Sequence, residues 1–202
     1  MTKSDEIKEL PEILPEMIVF DLDYTLWSEW IDCTYGPPYT YEEKNNSIVN
    51  HRGEVLSLFE HTTTIISTIK SFPNTKIAIA SRTSTPEWYV LFSWCLQMAR
   101  KALRLLRIPE LDSTLEQNID YFEIYPGSKI KHFKALSKKS GIECHKMLFF
   151  DDESRNREVT KLGAHFVQVN TRKGITPTQF MTALHNYANN TSPKQSKLED
   201  YH

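Results

Sequence analysis

The chain has 202 residues, of which 40% are hydrophobic and 25% are charged, and its formal net charge is -2 at pH 7. This length allows one full α/β domain with short tails but leaves too little chain for two domains. A net charge so close to zero provides no general attraction to nucleic acid or to anionic lipid, so we expect neither as a partner. Any partner must be selected by a local site.

The cysteines and the N-terminal segment bear on the compartment in which the protein works. Cys33, Cys95 and Cys144 lie far apart and show no C-x-x-C spacing, which argues against a disulfide framework and against a zinc site. The N-terminal segment lacks the apolar centre of a signal peptide, and no run approaches 18 apolar residues. We therefore expect reduced thiols, no membrane span, and a cytoplasmic or nuclear location, or both.

The chain divides into three parts by composition. Residues 1–15 are charged and contain two prolines, which predicts an N-terminal arm. Residues 189–202 are polar and are predicted to form a disordered tail. Between them, residues 16–188 are predicted to form one domain, because apolar, β-prone runs alternate there with helical patterns.

The central part predicts a mostly parallel sheet. Five runs are predicted as strands: 17–21, 76–80, 119–124, 146–151 and 164–169. Helices are predicted over 55–71, 85–107 and 128–140, directly after Asp152, and from Thr176 onward. Alternation of this kind indicates right-handed βαβ units, and therefore a Rossmann-like sheet covered by helices on both faces.

Residues 22–56 interrupt this alternation directly after the first strand. They are rich in aromatic residues, including Trp27, Trp30 and Tyr35, and contain a Gly-Pro-Pro sequence. We predict a long loop or small hairpin over the carboxyl edge of the sheet, where such insertions commonly carry function. The aromatic side chains either attach the loop to the core or sort substrates by shape.

The first strand ends in two closely spaced carboxylates. An apolar run at 18–20 leads directly into Asp21 and Asp23. In an open α/β sheet, ligands bind at the carboxyl ends of the strands. Two carboxylates at that place repel each other unless a cation or a shared proton compensates them. The pattern predicts a metal-assisted site, whereas the alternative is that the two aspartates only cap the following turn.

Two later segments provide groups suited to a phosphate. The strand at 76–80 leads into Ser81 and Arg82, whose hydroxyl and backbone amide can hold phosphate oxygens. The helix at 128–140 begins after Gly127, so Lys129 presents an ammonium at a helix start, a suitable place for an anion. Taken alone, each of these signals is weak, because serine often begins turns and lysine is common nearby.

A second acidic pair follows the strand at 146–151. Asp151 and Asp152 come directly after four apolar residues, and Asn156 follows four residues later. A second pair at the edge that holds Asp21 is electrostatically costly without a cation. Because hard carboxylate oxygens with few protein ligands favour Mg²⁺, we expect Mg²⁺ as the cofactor.

Together the four motifs, in the order D-x-D, Ser, Lys and D-D, resemble those of the haloacid dehalogenase superfamily. The resemblance extends to the magnesium-dependent phosphatase-1 family and is carried by FDLDYTLW, the aromatic loop, ASRTS, IYPGSK and FFDDESRN. It covers most of residues 16–170. It implies a three-layer α/β/α domain with a small insertion after the first strand. The chain has no room for a large cap domain, so we expect an open site.

The resemblance implies roles in phosphomonoester hydrolysis. Asp21 would attack phosphorus and form an aspartyl-phosphate, while Asp23 would protonate the leaving oxygen and then activate water. Ser81 would hydrogen-bond a phosphoryl oxygen, and Lys129 would neutralise charge between the phosphate and Asp21. Two backbone amides would complete the phosphate cradle, those of Leu22 and Arg82.

The resemblance also implies a metal site. Mg²⁺ would be bound by Asp21, by the backbone carbonyl of Asp23 and by Asp152. Asp151 would lie behind these ligands, although the choice between the two adjacent aspartates stays open. Asn156 would orient a ligand or a bound water.

Three other classes of protein use similar residues. A dehalogenase needs no acid/base at Asp23, a receiver domain carries its phosphorylated aspartate on a later strand, and a non-catalytic phosphate-binding module would be expected to lose Asp21 or Asp23. We therefore expect a monomeric phosphatase of the acid phosphatase or protein tyrosine phosphatase type. Its substrate is a phosphoprotein bearing phosphotyrosine, a small sugar phosphate, or both.

Overall fold

The computed structural model describes residues 9–82 and 98–191. The strands, in chain order, are β1 (Met17–Phe20), β2 (Tyr39–Glu42), β3 (Ser47–Asn50), β4 (Val55–Ser57), β5 (Lys76–Ser81), β6 (Arg107–Ile108), β7 (Ser113–Thr114), β8 (Tyr121–Ile124), β9 (Met147–Asp151) and β10 (His165–Gln168). The helices are α1 (Thr62–Lys70), α2 (described over 98–105), α3 (Lys129–Ser140) and α4 (Pro177–Thr191), and a 3₁₀ helix covers Ser154–Leu162.

A five-stranded sheet in the order β10-β9-β1-β5-β8 organises the domain, and all of its strand pairs are parallel. β1 lies at its centre, with Phe20 opposite Phe150 of β9 and Ile79 of β5. All four residues of β1 are buried. A strand that is apolar on both faces is typical of a parallel sheet covered on both sides.

Two hydrophobic clusters lie on opposite faces of this sheet. One contains Phe20 together with side chains of α1, α2 and α4. The other contains Val19 of β1 together with Phe133 of α3. This separation confirms the predicted three-layer α/β/α architecture and all five predicted strands. In the part of the chain that the structure describes, no helix has the length and apolar character needed to cross a membrane.

The predicted insertion after β1 forms a small antiparallel sheet in the order β2-β3-β4. The helix predicted over 55–71 is wrong in its first part, because Leu56 pairs with Ile48 in this sheet and α1 begins only at Thr62. The local pattern of apolar residues could not distinguish a helix from a strand here, because β4 is defined by its pairing with β3. The insertion therefore consists of loops and a small sheet, and the described residues include no large cap.

The helix predicted over 85–107 also ends earlier than expected. Residues 98–105 are helical, whereas Arg107 begins a short hairpin with Thr114. The Asn46 side chain stabilises the change from helix to strand at Arg107. Its Nδ2 donates to the Arg107 carbonyl and its Oδ1 accepts from the Arg107 N–H, both at 2.9 Å. The first part of the predicted helix lies outside the described residues.

The two terminal segments are described only in part. α4 continues to Thr191, so residues 189–191 are helical instead of belonging to the predicted tail. Residues 1–8 and 192–202 lie outside the described part of the chain. The predicted helix over 128–140 is confirmed as α3, which is capped by Ser128 and ends at Gly141 with a positive φ of 76°.

Candidate active site

The predicted site residues come together at the carboxyl edge of the sheet. Asp21 follows β1, Ser81 ends β5, Asp151 ends β9, and Lys129 begins α3 after β8. β1, β5 and β9 are neighbours, so their ends meet at one place. A cavity of about 570 Å³ opens there. Its lining includes residues of every predicted motif: Asp21, Asp23, Arg82, Gly127 and Asp152.

Lys129 is buried between two carboxylates at this edge of the sheet. Its Nζ lies 2.6 Å from Asp21 Oδ1 and 3.1 Å from Asp151 Oδ2, and it donates to the Ala80 carbonyl at 2.5 Å. Only 1% of its side chain is exposed. Burial would lower the pKa of Lys129, but the two carboxylates outweigh it and raise the pKa. The ammonium therefore stays charged and partly neutralises the acidic edge.

Asp21 is the carboxylate closest to this cation. Burial raises its pKa to about 6, although Lys129 opposes the shift, and Asp151 adds to it. A hydrogen bond from the Ser81 hydroxyl further favours the charged form. Asp21 also lines the cavity, so an ionised, oriented carboxylate is available to a ligand there.

Asp23 occupies a different environment two residues later. Its Oδ1 accepts hydrogen bonds from Trp27 Nε1 at 2.7 Å and from the Ile31 N–H at 3.1 Å. Burial and the neighbouring charge of Asp21 raise its pKa to about 8. At neutral pH the Asp23 carboxyl is thus suited to carry a proton beside the ionised Asp21.

Both carboxylate oxygens of Asp151 accept hydrogen bonds from neighbouring groups. Asn156 Nδ2 donates to both of its oxygens at 2.9 and 2.8 Å, and the Glu153 N–H donates at 2.8 Å. The sequence predicts that Asn156 orients a ligand or a bound water, and its amide donates to the side chains of Asp151 and, at 3.2 Å, of Glu153. Asp151 is fully buried and is not part of the cavity wall.

Asp152, in contrast, lines the cavity and is only half-buried. Burial, followed by the charges of Asp21 and Asp151, raises its pKa to about 7. Asp21, Asp151 and Asp152 each offer a carboxylate oxygen, and these three oxygens lie within 4.8 Å of one another. Such a set of hard oxygen donors fits a divalent cation of the Mg²⁺ or Ca²⁺ type. Because its oxygens already have partners, Asp151 is less available to a metal than Asp152.

Arg82 lines the cavity and forms an ion pair with Glu158. Its Nη2 lies 3.0 Å from Glu158 Oε1, and the side chain forms part of the cavity wall. Leu22 lies between the two aspartates with its side chain buried in the core. The phosphate contacts of the Leu22 and Arg82 amides stay predictions. Glu158 was missed, because a single acid in a charged segment has no diagnostic spacing.

The aromatic loop contributes one side chain to the cavity. Trp30 is 55% exposed and lines the opening. Tyr24, whose ring packs edge-to-face on Trp30, has a positive φ of 53°, a conformation that favours glycine. Trp27 is fully buried in the core, so of the two predicted roles it has the one of attaching the loop. Tyr35 is exposed under Arg52, outside the cavity wall.

Comparisons of the whole chain identify its family. The family model described as acid phosphatase matches residues 13–190. The human protein named magnesium-dependent phosphatase 1 is 34% identical over 192 residues, which cover 93% of this chain and 96% of the human one. A HAD-like hydrolase superfamily protein of Schizosaccharomyces pombe is 36% identical over 158 residues, covering 76% of this chain and 85% of the yeast protein.

Solved structures agree with these sequence relatives at the level of the fold. A haloacid dehalogenase superfamily hydrolase of Ehrlichia chaffeensis has a TM-score of 0.54 at 12% identity, covering 86% of this chain and 98% of that chain. An enzyme of the same superfamily from Bacteroides thetaiotaomicron, solved with magnesium and inorganic phosphate, has a TM-score of 0.51 at 10% identity, covering 81% and 98%. The chain therefore belongs to the haloacid dehalogenase superfamily and, within it, to the magnesium-dependent phosphatase-1 family.

Proposed function

We propose that this protein is a magnesium-dependent phosphatase that hydrolyses phosphomonoesters through an aspartyl-phosphate formed on Asp21. One observation carries the proposal: Asp21 lines the cavity while Lys129 Nζ lies 2.6 Å behind it. A carboxylate attacks a phosphate dianion only when the repulsion between them is removed, and a buried ammonium contributes to that. The relatives named as magnesium-dependent phosphatase and HAD-like hydrolase support the same reaction.

Mg²⁺ would be held by Asp21, by Asp152 and by the backbone carbonyl of Asp23. When bound, it would supply positive charge that balances the carboxylates and the phosphate oxygens. Asp151 would act from behind these ligands, because Asn156 and the Glu153 N–H already occupy its oxygens.

In the first step, an oxygen of Asp21 bonds to phosphorus and the bond from phosphorus to the ester oxygen breaks. Asp23 gives its proton to that oxygen, so the product leaves as a neutral alcohol or phenol. The hydrogen bonds from Trp27 and Ile31 hold the Asp23 carboxyl in place. Ser81 and Lys129 orient Asp21 and balance the charge that spreads over the phosphoryl oxygens.

In the second step, water attacks the phosphorus of the aspartyl-phosphate. Asp23, now ionised, accepts a proton from this water, and the bond between phosphorus and the Asp21 oxygen breaks. Inorganic phosphate is released, and both carboxyl groups return to their starting states. A single acid/base thus serves both steps, which explains why the site needs Asp23 beside Asp21.

The accessible cavity bears on the substrate class. Trp30 presents a half-exposed indole beside Asp23, and aromatic rings stack well on such a surface. This favours aryl phosphomonoesters, including phosphotyrosine in a protein. Small sugar phosphates are the second candidate, because no large cap covers the described part of the site and because hydroxyl groups could bond the polar rim.

The test is a panel of phosphomonoesters assayed with Mg²⁺, with chelator, and with Asp21→Asn and Asp23→Asn. We expect hydrolysis that needs Mg²⁺ and is lost in Asp21→Asn. Lys134→Met, an exposed substitution on α3, serves as the control and should retain full activity. Full activity in Asp21→Asn would refute the covalent mechanism. A folded wild type that binds Mg²⁺ and turns over no member of the panel would instead favour a phosphate-binding module.

A further inference from the structure

Glu158 connects two elements of the site, although its sequence context gives no sign of this. It lies in the 3₁₀ helix that follows β9. Its Oε1 accepts a hydrogen bond from Arg82 Nη2 at 3.0 Å and another from the Lys129 backbone N–H at 2.9 Å. One carboxylate oxygen therefore joins the end of β5, the start of α3 and the segment after β9.

The contact with Arg82 is partly shielded from solvent. The two side chains are 23% and 26% exposed, so their ion pair is less screened than a pair on the surface. Arg82 also lines the cavity, and its Nε is buried with no partner among the described residues. While Glu158 holds this guanidinium, the side chain lies against the wall, and its charge is balanced.

The contact with Lys129 acts on the backbone at the start of α3. The first N–H groups of a helix have no partner within the helix. The Ser128 hydroxyl accepts from the Lys131 N–H, and Glu158 accepts from the Lys129 N–H. Gly127, with a φ of 146°, makes the turn that leads into this helix. Glu158 thus holds the backbone of Lys129, the residue whose Nζ contacts Asp21, although Glu158 itself lies outside α3.

We propose that Glu158 is a positioning residue with two separable effects on the reaction, an inference that rests on the proposed phosphatase function. Its hydrogen bond to the Lys129 N–H keeps the Lys129 ammonium in place behind Asp21. Its negative charge holds Arg82 on the wall and weakens the attraction of the cavity for anions. The first effect acts on turnover, and the second acts on phosphate binding.

Two substitutions separate these effects. In Glu158→Gln the side-chain carbonyl still accepts from the Lys129 N–H, but the charge is lost. We expect inorganic phosphate to bind about fivefold more tightly, since Arg82 is no longer neutralised, while kcat changes less than about threefold. In Glu158→Ala the hydrogen bond is lost as well, and kcat falls about 30-fold, because a small misplacement of Lys129 is costly.

The experiment measures kcat and KM with p-nitrophenyl phosphate and the dissociation constant of inorganic phosphate by calorimetry, both with Mg²⁺. Glu116→Gln is the matched control, since Glu116 also pairs with two donors, Arg100 and Arg104, and is similarly buried at 20% side-chain exposure. The control should lower thermal stability without changing kcat, KM or the dissociation constant of phosphate. Melting temperatures of all variants are compared.

The proposal is overturned if both Glu158 variants match Glu116→Gln in kcat and in phosphate affinity. It is also overturned if Glu158→Gln binds phosphate more weakly than the wild type. If Glu158→Ala does not fold, the phosphate affinity of Glu158→Gln still decides, because an affinity no tighter than that of the wild type overturns the proposal. An inactive wild type would refute the proposed function, whereas the phosphate affinities would still test the role of the Glu158 charge.

Discussion

Four aspartates lie at one edge of the sheet, yet they form two pairs with different partners. Asp21 and Asp151 both contact the buried Lys129 ammonium, at 2.6 and 3.1 Å. Asp23 and Asp152 line the cavity, and their pKa values rise to about 8 and about 7 through burial and the nearby carboxylates. The Lys129 ammonium compensates the first pair, whereas neither carboxyl group of the second pair forms an ion pair among the described residues. Asp21 lines the cavity as well, so a ligand there is within reach of both pairs.

This difference shows that chemical role follows from environment and not from residue type. Asp21 and Asp23 are two positions apart, and burial acts on both. The cation beside Asp21 limits its pKa to about 6, while the neighbouring charge of Asp21 helps raise that of Asp23 to about 8. A nucleophile and an acid can thus coexist within one short segment.

Removing the Lys129 ammonium, the cation shared by Asp21 and Asp151, should have the largest effect. Lys129→Met leaves Asp21 and Asp151 buried together without compensation. We expect kcat to fall by roughly 10³-fold and folding stability to drop by about 3 kcal/mol, because a buried charge without its partner is costly. Steady-state kinetics and thermal unfolding measure both quantities. Unchanged turnover in this variant would contradict the role given to Lys129.

Asp23→Asn tests the second pair and should have the next largest effect. The amide cannot give up a proton to the leaving oxygen, so kcat for an alkyl phosphomonoester should fall by about 10²-fold. For p-nitrophenyl phosphate the loss in the first step should be smaller, because that leaving group needs no proton. Equal losses for both substrates, measured in single turnovers, would contradict the assignment of Asp23 as the acid.

Asp152→Asn and Asp151→Asn distinguish the roles of two adjacent aspartates, one from each pair. We expect Asp152→Asn to raise the Mg²⁺ concentration for half-maximal activity by about 10- to 100-fold. Asp151→Asn should instead lower folding stability by about 3 kcal/mol, because Asn156 and Lys129 lose a buried partner. Magnesium titrations and denaturant unfolding distinguish the two. The reverse pattern would exchange the roles of these aspartates.

The raised pKa of Asp152 adds a pH dependence to the same experiment. Its ordinary pKa of 3.8 rises to about 7 in the folded protein, so the folded state binds more protons than the unfolded state between these values. Without metal, its contribution to stability is therefore present below pH 4 and is lost as the pH rises toward 7. Asp152→Asn should be more stable at pH 8, relative to the wild type, than at pH 4 when both are measured in chelator.

The smallest effect concerns the cavity wall. Trp30→Ala should raise KM for aryl phosphomonoesters by about fivefold and leave that for glycerol phosphate unchanged, since only an aromatic leaving group can stack on the indole. Tyr35→Ala is the control, because Tyr35 is equally exposed but lies outside the cavity wall. Equal KM changes for both substrate classes would remove Trp30 from substrate selection.

Much of this site was predictable because strand ends carry a local signal. Asp21, Ser81 and Asp151 each follow a buried apolar run, and parallel topology brings such ends to one edge. The helix start at Lys129 was equally visible from the residues before it. Their convergence needed only the order of elements, not any detail of packing.

What the sequence did not reveal depends on contacts between distant residues. Glu158 bonds groups 29 and 76 positions away, and no local pattern marks such a contact. Leu56 belongs to a strand because it pairs with Ile48, whereas its own surroundings favour a helix. The sequence leaves two roles open for Trp27, and only the fold shows that it is buried and that its ring N–H donates to Asp23.

The most direct test of the two-pair account is to identify which carboxylate becomes phosphorylated. The enzyme is quenched during turnover with excess substrate and reduced with borohydride, which converts an acyl phosphate to homoserine, and its peptides are examined by mass spectrometry. We expect homoserine at position 21 in the wild type, and at a higher level in Asp23→Asn, in which hydrolysis of the aspartyl-phosphate should be slower. Homoserine at position 23 or 151, or none at all while substrate is being hydrolysed, would rule out Asp21 as the nucleophile.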